Sequence, residues 1–205
     1  MSCKHIVIMI SGEGTNMLSL IHATKRTNYP AKVIGVISDN PNAQGLNKAQ
    51  KENISTYLIP YKDYLSKEEH ENAILTQLIS LKPDLICLAG YMRLLSKNFI
   101  KSYKDKILNI HPSLLPLFPG LHTHRRALQA GIKITGCTVH TVTEEMDEGP
   151  IIAQSAIPIA PDETEKSLSQ RVLSLEHLLY PLALEYVILG KISRAENIHY
   201  ITGIG

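Results

Sequence analysis

The sequence predicts an α/β fold, an open and mostly parallel twisted sheet with helices on both faces and an antiparallel extension in its C-terminal half. Three observations carry this expectation. Ile6-Val7-Ile8-Met9-Ile10 and Val33-Ile34-Gly35-Val36-Ile37 are continuous apolar runs, as strands covered on both faces require. Helical spacing follows each run before the next strand begins, which is the order of right-handed βαβ units. Late in the chain Thr135 to Thr143 and Ile151 to Ile159 alternate in character and are joined by the short loop Glu144 to Pro150, the pattern of an antiparallel pair.

Taken in order, the first strand spans His5 to Ile10 and stops at Ser11-Gly12-Glu13-Gly14-Thr15-Asn16, after which Leu18, Ile21 and His22 continue at helical spacing. Ser38-Asp39-Asn40-Pro41 ends the second strand, Leu46 to Glu52 reads as a helix, and a short strand follows near Tyr57 to Ile59. Glu68 to Leu81 carries Ile74, Leu78 and Leu81 on one face and ends at Lys82-Pro83, because proline cannot continue a helix. Asp84 to Ala89 is the next strand, closing on Gly90-Tyr91-Met92-Arg93. Ile107, Leu108 and Ile110 make another, and His124 to Ala130 forms one or two helical turns. Asp162 to Thr164 offers N-cap chemistry to a long helix through Leu189, in which Pro181 is expected to introduce a kink. Residues 191–205 carry no clear period. One domain is expected over 1–205, with a phosphate-binding half to about residue 100 and a catalytic half over about 101–190.

Composition narrows the function classes. With 44% hydrophobic and 20% charged residues and a formal net charge of +2, the chain is ordinary for a soluble globular protein. Its largest basic clusters are the pairs Lys25-Arg26 and Arg125-Arg126, too little to make nucleic acid the main partner. Cys3, Cys87 and Cys137 are far apart and read as reduced, buried thiols. The chain enters its first strand without a signal peptide and holds no apolar segment of the ~20 residues a bilayer crossing needs. A cytoplasmic protein without a membrane partner is therefore expected.

Four strand ends gather the polar residues that such folds use for ligands: Ser11 to Asn16, Ser38 to Asn40, Gly90 to Arg93, and Asn109 to His111. The glycine loop opens a helix, so its amides suit a phosphate. Met17 stands where a dinucleotide fingerprint would have its third glycine, while Asp39 stands where a ribose-binding carboxylate would. A nicotinamide-dependent oxidoreductase is therefore kept as an alternative. Asn109 and His111 alternate at the end of an apolar strand, and Pro112, Pro116 and Pro119 stiffen the loop after it. An imidazole and an amide leaving one strand face together fit a catalytic site, or a polar strand end capped by a proline turn. His122 and His124, with His111 and His140, invite a metal reading that Arg125 and Arg126 oppose by charge. Asp147 lies in an acidic run of the kind usually found at a solvated surface, but Gly149-Pro150 fixes the path of its loop.

Together, Ser11-Gly12-x-Gly14-Thr15-Asn16, Ala89 to Arg93, Asn109 to Pro116, Phe118 to His124, Asp147-x-Gly149-Pro150 and Glu176-His177 resemble the phosphoribosylglycinamide formyltransferases, folate-dependent enzymes of purine synthesis. The resemblance runs from about residue 5 to 190, and the Asn-x-His-Pro-Ser-Leu-Leu-Pro element is shared by enzymes that use formyltetrahydrofolate. It implies a formyl transfer from 10-formyltetrahydrofolate, as co-substrate, to the amine of glycinamide ribonucleotide, without a metal. Asn109, His111 and Asp147 would be catalytic, and Gly14, Thr15, Asn16 and Glu176 would bind the ribonucleotide. Lys67, Met92, Arg93, Leu94 and Leu95, with Asn109 and the loop Thr143, Glu144, Glu145, Met146 and Asp147, would border the folate. Two departures stand out: Thr15 replaces a serine common in such enzymes, and Lys67 replaces an arginine and loses its planar fork. Related readings are a deformylase or a formyltransferase for a different amine. A pterin- and phosphate-binding module without turnover would need the glycine loop and Arg93, but not His111 and Asp147 together. The partners implied are small molecules, with the chain a monomer or homodimer. Asp147 is expected beside His111 because its loop leads out of a strand that should neighbour the strand ending at His111. A carboxylate there favours the charged imidazole and orients its ring.

Overall fold

Unbroken apolar runs become strands buried on both faces. All five residues of Ile6 to Ile10 are fully buried in β1 (Lys4–Ile10), which runs parallel to β2 (Ala31–Ser38) on one side and β4 (Leu85–Leu88) on the other. The structure, a computed structural model, describes residues 3–191 and 199–200. These residues form two compact units, Met1–Leu108 and Asn109–Gly205.

In the first unit the strand order is β3-β2-β1-β4, with β3 (Thr56–Leu58) parallel to β2. Helices α1 (Thr15–Thr24), α2 (Gln44–Lys51) and α3 (Lys67–Leu81) fill the crossovers, as the sequence predicts. The buried face of α1 is Met17, Leu20 and Ile21, one step away from the expected face. His22 instead points outward and meets Glu52 at 3.1 Å, because Met17 is the larger apolar side chain to bury. Ser66 caps α3 by accepting from the Glu69 N–H, and Lys82 ends it in the left-handed region (φ 52°) just before Pro83. Helix α4 (Lys97–Ser102), capped by Ser96, is too short to have shown a period in the sequence.

The second unit begins inside β5 (Ile107–His111) and continues in the order β5-β6-β7-β8. Strands β6 (Ile134–Thr141) and β7 (Ile151–Pro158) pair antiparallel, the extension expected from their alternating sequence. Their register slips between Val139 and His140, an irregularity of the kind that re-aims a side chain. The two-residue β8 (His199–Tyr200) lies parallel to β7, and the rest of the unassigned tail falls outside the described residues beyond Lys191. Helix α5 (Thr123–Gln129) and helix α6 (Glu165–Ile188) complete the unit, α6 packing on β6 and β7 through Leu168, Val172, Leu175 and Leu179. Thr164 and Ser167 cap α6 reciprocally, and the helix runs on through Pro181 to Ile188. Among the described residues no helix is long and apolar enough to cross a membrane.

Glycine is required where β6 meets β7. A Cβ at Gly136 would overlap the Ser155 carbonyl and lie 2.9 Å from Ala156 Cα, both of them backbone that cannot swing away. Gly136→Ala should therefore destabilise the chain by about 2 to 3 kcal/mol. Thermal unfolding should show this as a Tm lower by roughly 5 to 10 °C.

Candidate active site

In the first unit, Ser11 ends β1 and three neighbours claim its polar groups. Its N–H donates to the Gly90 carbonyl (3.1 Å), its Oγ donates to Asp39 Oδ1 (2.6 Å), and the Met92 N–H donates to the same Oγ (2.9 Å). Arg93 Nε donates to Asp39 Oδ2 at 2.7 Å, and its guanidinium lies 3.6 Å from the centre of the Tyr61 ring. The Asp39 carboxylate, 5% exposed, is thus consumed by Ser11 and Arg93. It cannot serve as a ribose-binding carboxylate, and Met17 fills the core where a third fingerprint glycine would be. The nicotinamide alternative loses the carboxylate that supported it.

After Ser11 the loop turns at Gly14 (φ +70°), where a Cβ would lie 2.8 Å from Gly45 Cα. Gly14 is the N-cap of α1 and supplies no side-chain cap, so the first-turn amides of Thr15, Asn16 and Met17 have no intrahelical acceptor. Thr15 is half-buried and Asn16 buried at this helix end. Met92, Arg93 and Leu94 are all exposed, the Arg93 guanidinium while paired with Asp39, so this segment offers main chain and apolar side chains beside a charge already engaged. Lys67 opens α3, 3.8 Å from Glu71, beside a cavity of about 220 Å³ that Leu75, Ser96 and Phe99 also line.

The second unit brings Asn109, His111 and Asp147 together and adds His140. His111, 6% exposed at the end of β5, has Nδ1 3.4 Å from Asp147 Oδ2 and Nε2 3.0 Å from the Phe118 carbonyl. Both ring nitrogens face acceptors, so only the imidazolium donates to both. Asp147, in the left-handed region (φ 57°), also accepts from the Gly120 N–H at 2.8 Å, and its Oδ1 lies 3.7 Å from His140 Nε2. Gly149 and Pro150 fix this loop as the sequence implies: the Thr141 N–H donates to the Pro150 carbonyl (2.9 Å), and a Cβ at Gly149 would overlap the Thr141 carbonyl. Asn109 Nδ2 lies 3.1 Å from His140 Nε2, while His140 Nδ1 donates to the Thr141 carbonyl at 3.1 Å. Burial lowers the His140 pKa, opposed by the bond to Thr141 and by Asp147.

The proline loop is braced from β6 and β7. Thr138 Oγ1 donates to the Ser113 carbonyl (2.7 Å) and accepts from the Leu115 N–H (3.0 Å), and Gln154 Nε2 donates to the Leu115 carbonyl (2.9 Å). Ser113 Oγ donates to the Leu117 carbonyl (2.6 Å), and the Leu115–Pro116 peptide is cis. In the acidic loop Glu144, Glu145 and Met146 are exposed, and Thr143 Oγ1 donates to the Glu145 carbonyl at 3.3 Å. Glu176 is buried in α6, and together with burial it pushes the Cys137 thiol up. His124 is likewise held down by burial, and its Nδ1 is enclosed without a hydrogen-bond partner among the described residues. Sequence reasoning considered His140 only as a metal ligand. Its signal was there, at the end of an alternating strand and seven residues before Asp147.

A family model described as formyl transferase matches residues 4–184. The trifunctional purine biosynthetic protein adenosine-3 of Gallus gallus is 44% identical over 191 residues, which are 93% of this chain and 19% of that protein. This chain therefore spans about a fifth of that relative's length. The phosphoribosylglycinamide formyltransferase of Escherichia coli K12 is 38% identical over 199 residues, 97% of this chain and 94% of that one. A crystal structure of phosphoribosylglycinamide formyltransferase from Brucella melitensis has a TM-score of 0.89 at 56% identity and covers 95% of this chain and 100% of its own. With its glycine loop, its Asn-x-His-Pro strand end and its paired Asp147 all inside the matched span, the chain belongs to the formyl transferase family.

Proposed function

We propose that this chain transfers the formyl group of 10-formyltetrahydrofolate to the primary amine of glycinamide ribonucleotide, as its full-length bacterial relative's name describes for that protein. The observation that carries the reading is the pair of a buried His111 and a half-buried Asp147, with Asn109 two residues before His111 on the same strand. Attack of a neutral amine on the formyl carbon builds negative charge on the formyl oxygen, and the departing N10 needs a proton. Asn109 supplies an N–H to that oxygen. Asp147 holds Nδ1–H of the His111 imidazolium, which leaves the Nε2–H, here bonded to the Phe118 carbonyl, as the proton to hand to N10. For the phosphate of the amine substrate we assign the uncapped first turn of α1, with Gly14, Thr15 and Asn16. Met92 and Leu94, on either side of an Arg93 paired with Asp39, offer the folate an apolar, main-chain surface, and Met146 offers another. The chain so read is a cytoplasmic enzyme of small molecules.

A turnover assay that follows both formylated amine and free tetrahydrofolate tests the reaction. Product in equal amounts supports it, whereas tetrahydrofolate and formate without formylated amine would make the chain a deformylase.

Asn16→Ala should raise KM for the ribonucleotide by about tenfold, the loss of one hydrogen bond to a charged group, and leave KM for the folate within error. An effect on the folate alone would remove the phosphate from this helix end.

His111→Ala and Asp147→Asn should each cut kcat by roughly 10² to 10⁴. The double variant should be little worse than His111→Ala, because groups acting as one unit are not additive. Losses that multiply in the double variant would dissolve the pair.

Charged initiator tRNA should not be formylated, since a net charge of +2 supplies little of the phosphate neutralisation on which tRNA binding depends. Salt-sensitive tRNA binding followed by formyl transfer would contradict this.

A further inference from the structure

We propose that His140 is a positioning residue for the reaction: its unprotonated Nε2 fixes which way the Asn109 amide faces, so that a nitrogen and not an oxygen is committed to the ring. This deepens the reading of Asn109 as the N–H donor to the formyl oxygen and rests on it. The Thr141 carbonyl lies 3.1 Å from His140 Nδ1. A carbonyl can only accept, so Nδ1 carries the proton and a neutral ring has its lone pair on Nε2. The atom 3.1 Å from Nε2 must then donate, which makes it Asn109 Nδ2 rather than Oδ1. One amide hydrogen is engaged by the ring, and the second N–H and Oδ1 are left in fixed directions. The β6–β7 register shifts between Val139 and His140, and at 2% exposure the His140 ring is shielded from bulk water.

The arrangement works only while the ring is neutral. Two titratable groups face it, Asp147 with Oδ1 at 3.7 Å, which favours the imidazolium, and His111, which opposes it. Burial is the largest influence and keeps the ring neutral. Once protonated, Nε2 becomes a donor. Asn109 would have to turn Oδ1 toward it, presenting the wrong end of the amide to a developing oxyanion, and Asp147 would gain a second cation competing with His111. One protonation thus disarms both the donor and the acid.

The test is steady-state kinetics of the full chain with His140→Leu, which removes the acceptor, and His140→Gln, which can present Oε1 in its place. His140→Leu should lower kcat about 10- to 100-fold, less than the 10²- to 10³-fold typical of deleting such a donor outright, with KM for both substrates within about twofold. His140→Gln should recover most of kcat and lose the acid-side fall of the wild-type kcat profile. In an Asn109→Ala background, His140→Leu should add nothing. A His140→Leu enzyme with wild-type kcat, while Asn109→Ala is crippled, overturns the proposal and leaves the formyl-transfer reading intact. A fully active Asn109→Ala enzyme sinks the oxyanion role itself. Should His140→Leu fail to fold, ¹⁵N NMR of the wild-type imidazole decides: a protonated Nδ1 with bare Nε2 at neutral pH supports the proposal, and the opposite tautomer refutes it.

Discussion

One buried anion organises the second unit. The Asp147 carboxylate takes an N–H from Gly120 in the proline loop, stands 3.4 Å from His111 at the end of β5, and lies 3.7 Å from His140 at the end of β6. An isolated carboxylate so nearly enclosed would be costly, and the Gly120 N–H and the His111 ring offset part of that cost by offering donors. The backbone has to cooperate: Asp147 sits in the left-handed region, and Gly149 lets the chain close onto the Thr141 carbonyl. Loop path, ring orientation and proton placement are therefore a single arrangement.

The first unit solves a comparable problem with a neutral hub. Ser11 has its N–H, its hydroxyl and, through Asn40 Nδ2, its carbonyl all engaged, so the ends of β1, β2 and β4 are joined at one residue. Asp39 closes the set by pairing with Arg93, whose guanidinium then rests on Tyr61. Two charges that could have met a ligand are instead used on each other. What this edge leaves open is backbone amides, hydroxyls and exposed apolar side chains.

The strands and most helices were legible because their signals are local. Ile6 to Ile10 needs no partner to declare itself buried, and Ser66, Thr164 and Lys82-Pro83 mark helix ends by chemistry confined to a few residues. Asn109 and His111 were legible together because they alternate at one strand end, whereas Asp147 joined them as a catalytic set only through the resemblance. The features that stayed hidden depend on distant residues. Asp39 has the position of a ribose-binding carboxylate, and only the arrival of Arg93 reveals that it is occupied. His140 lies in an alternating strand like any polar residue, and its contact with Asn109 joins residues 31 positions apart, which neither stretch of sequence declares alone. Met17 displaced His22 from the core face because helical spacing gives the period of burial but not its phase.

Gly14 and Gly45 meet as bare main chain. One turn of backbone rests on another, the Gly45 N–H donating to the Gly12 carbonyl at 3.0 Å, with no side chain between them. A loop held by side chains samples their rotamers and must give up that freedom when it grips an anion. A loop held by bare backbone has given it up during folding, so the entropic cost of binding is small and affinity depends on how well the amides point. The same bareness ties distant positions to one another, because a methyl on Gly14 would need the Gly45 backbone to retreat and one on Gly45 would collide with the Ile10 side chain.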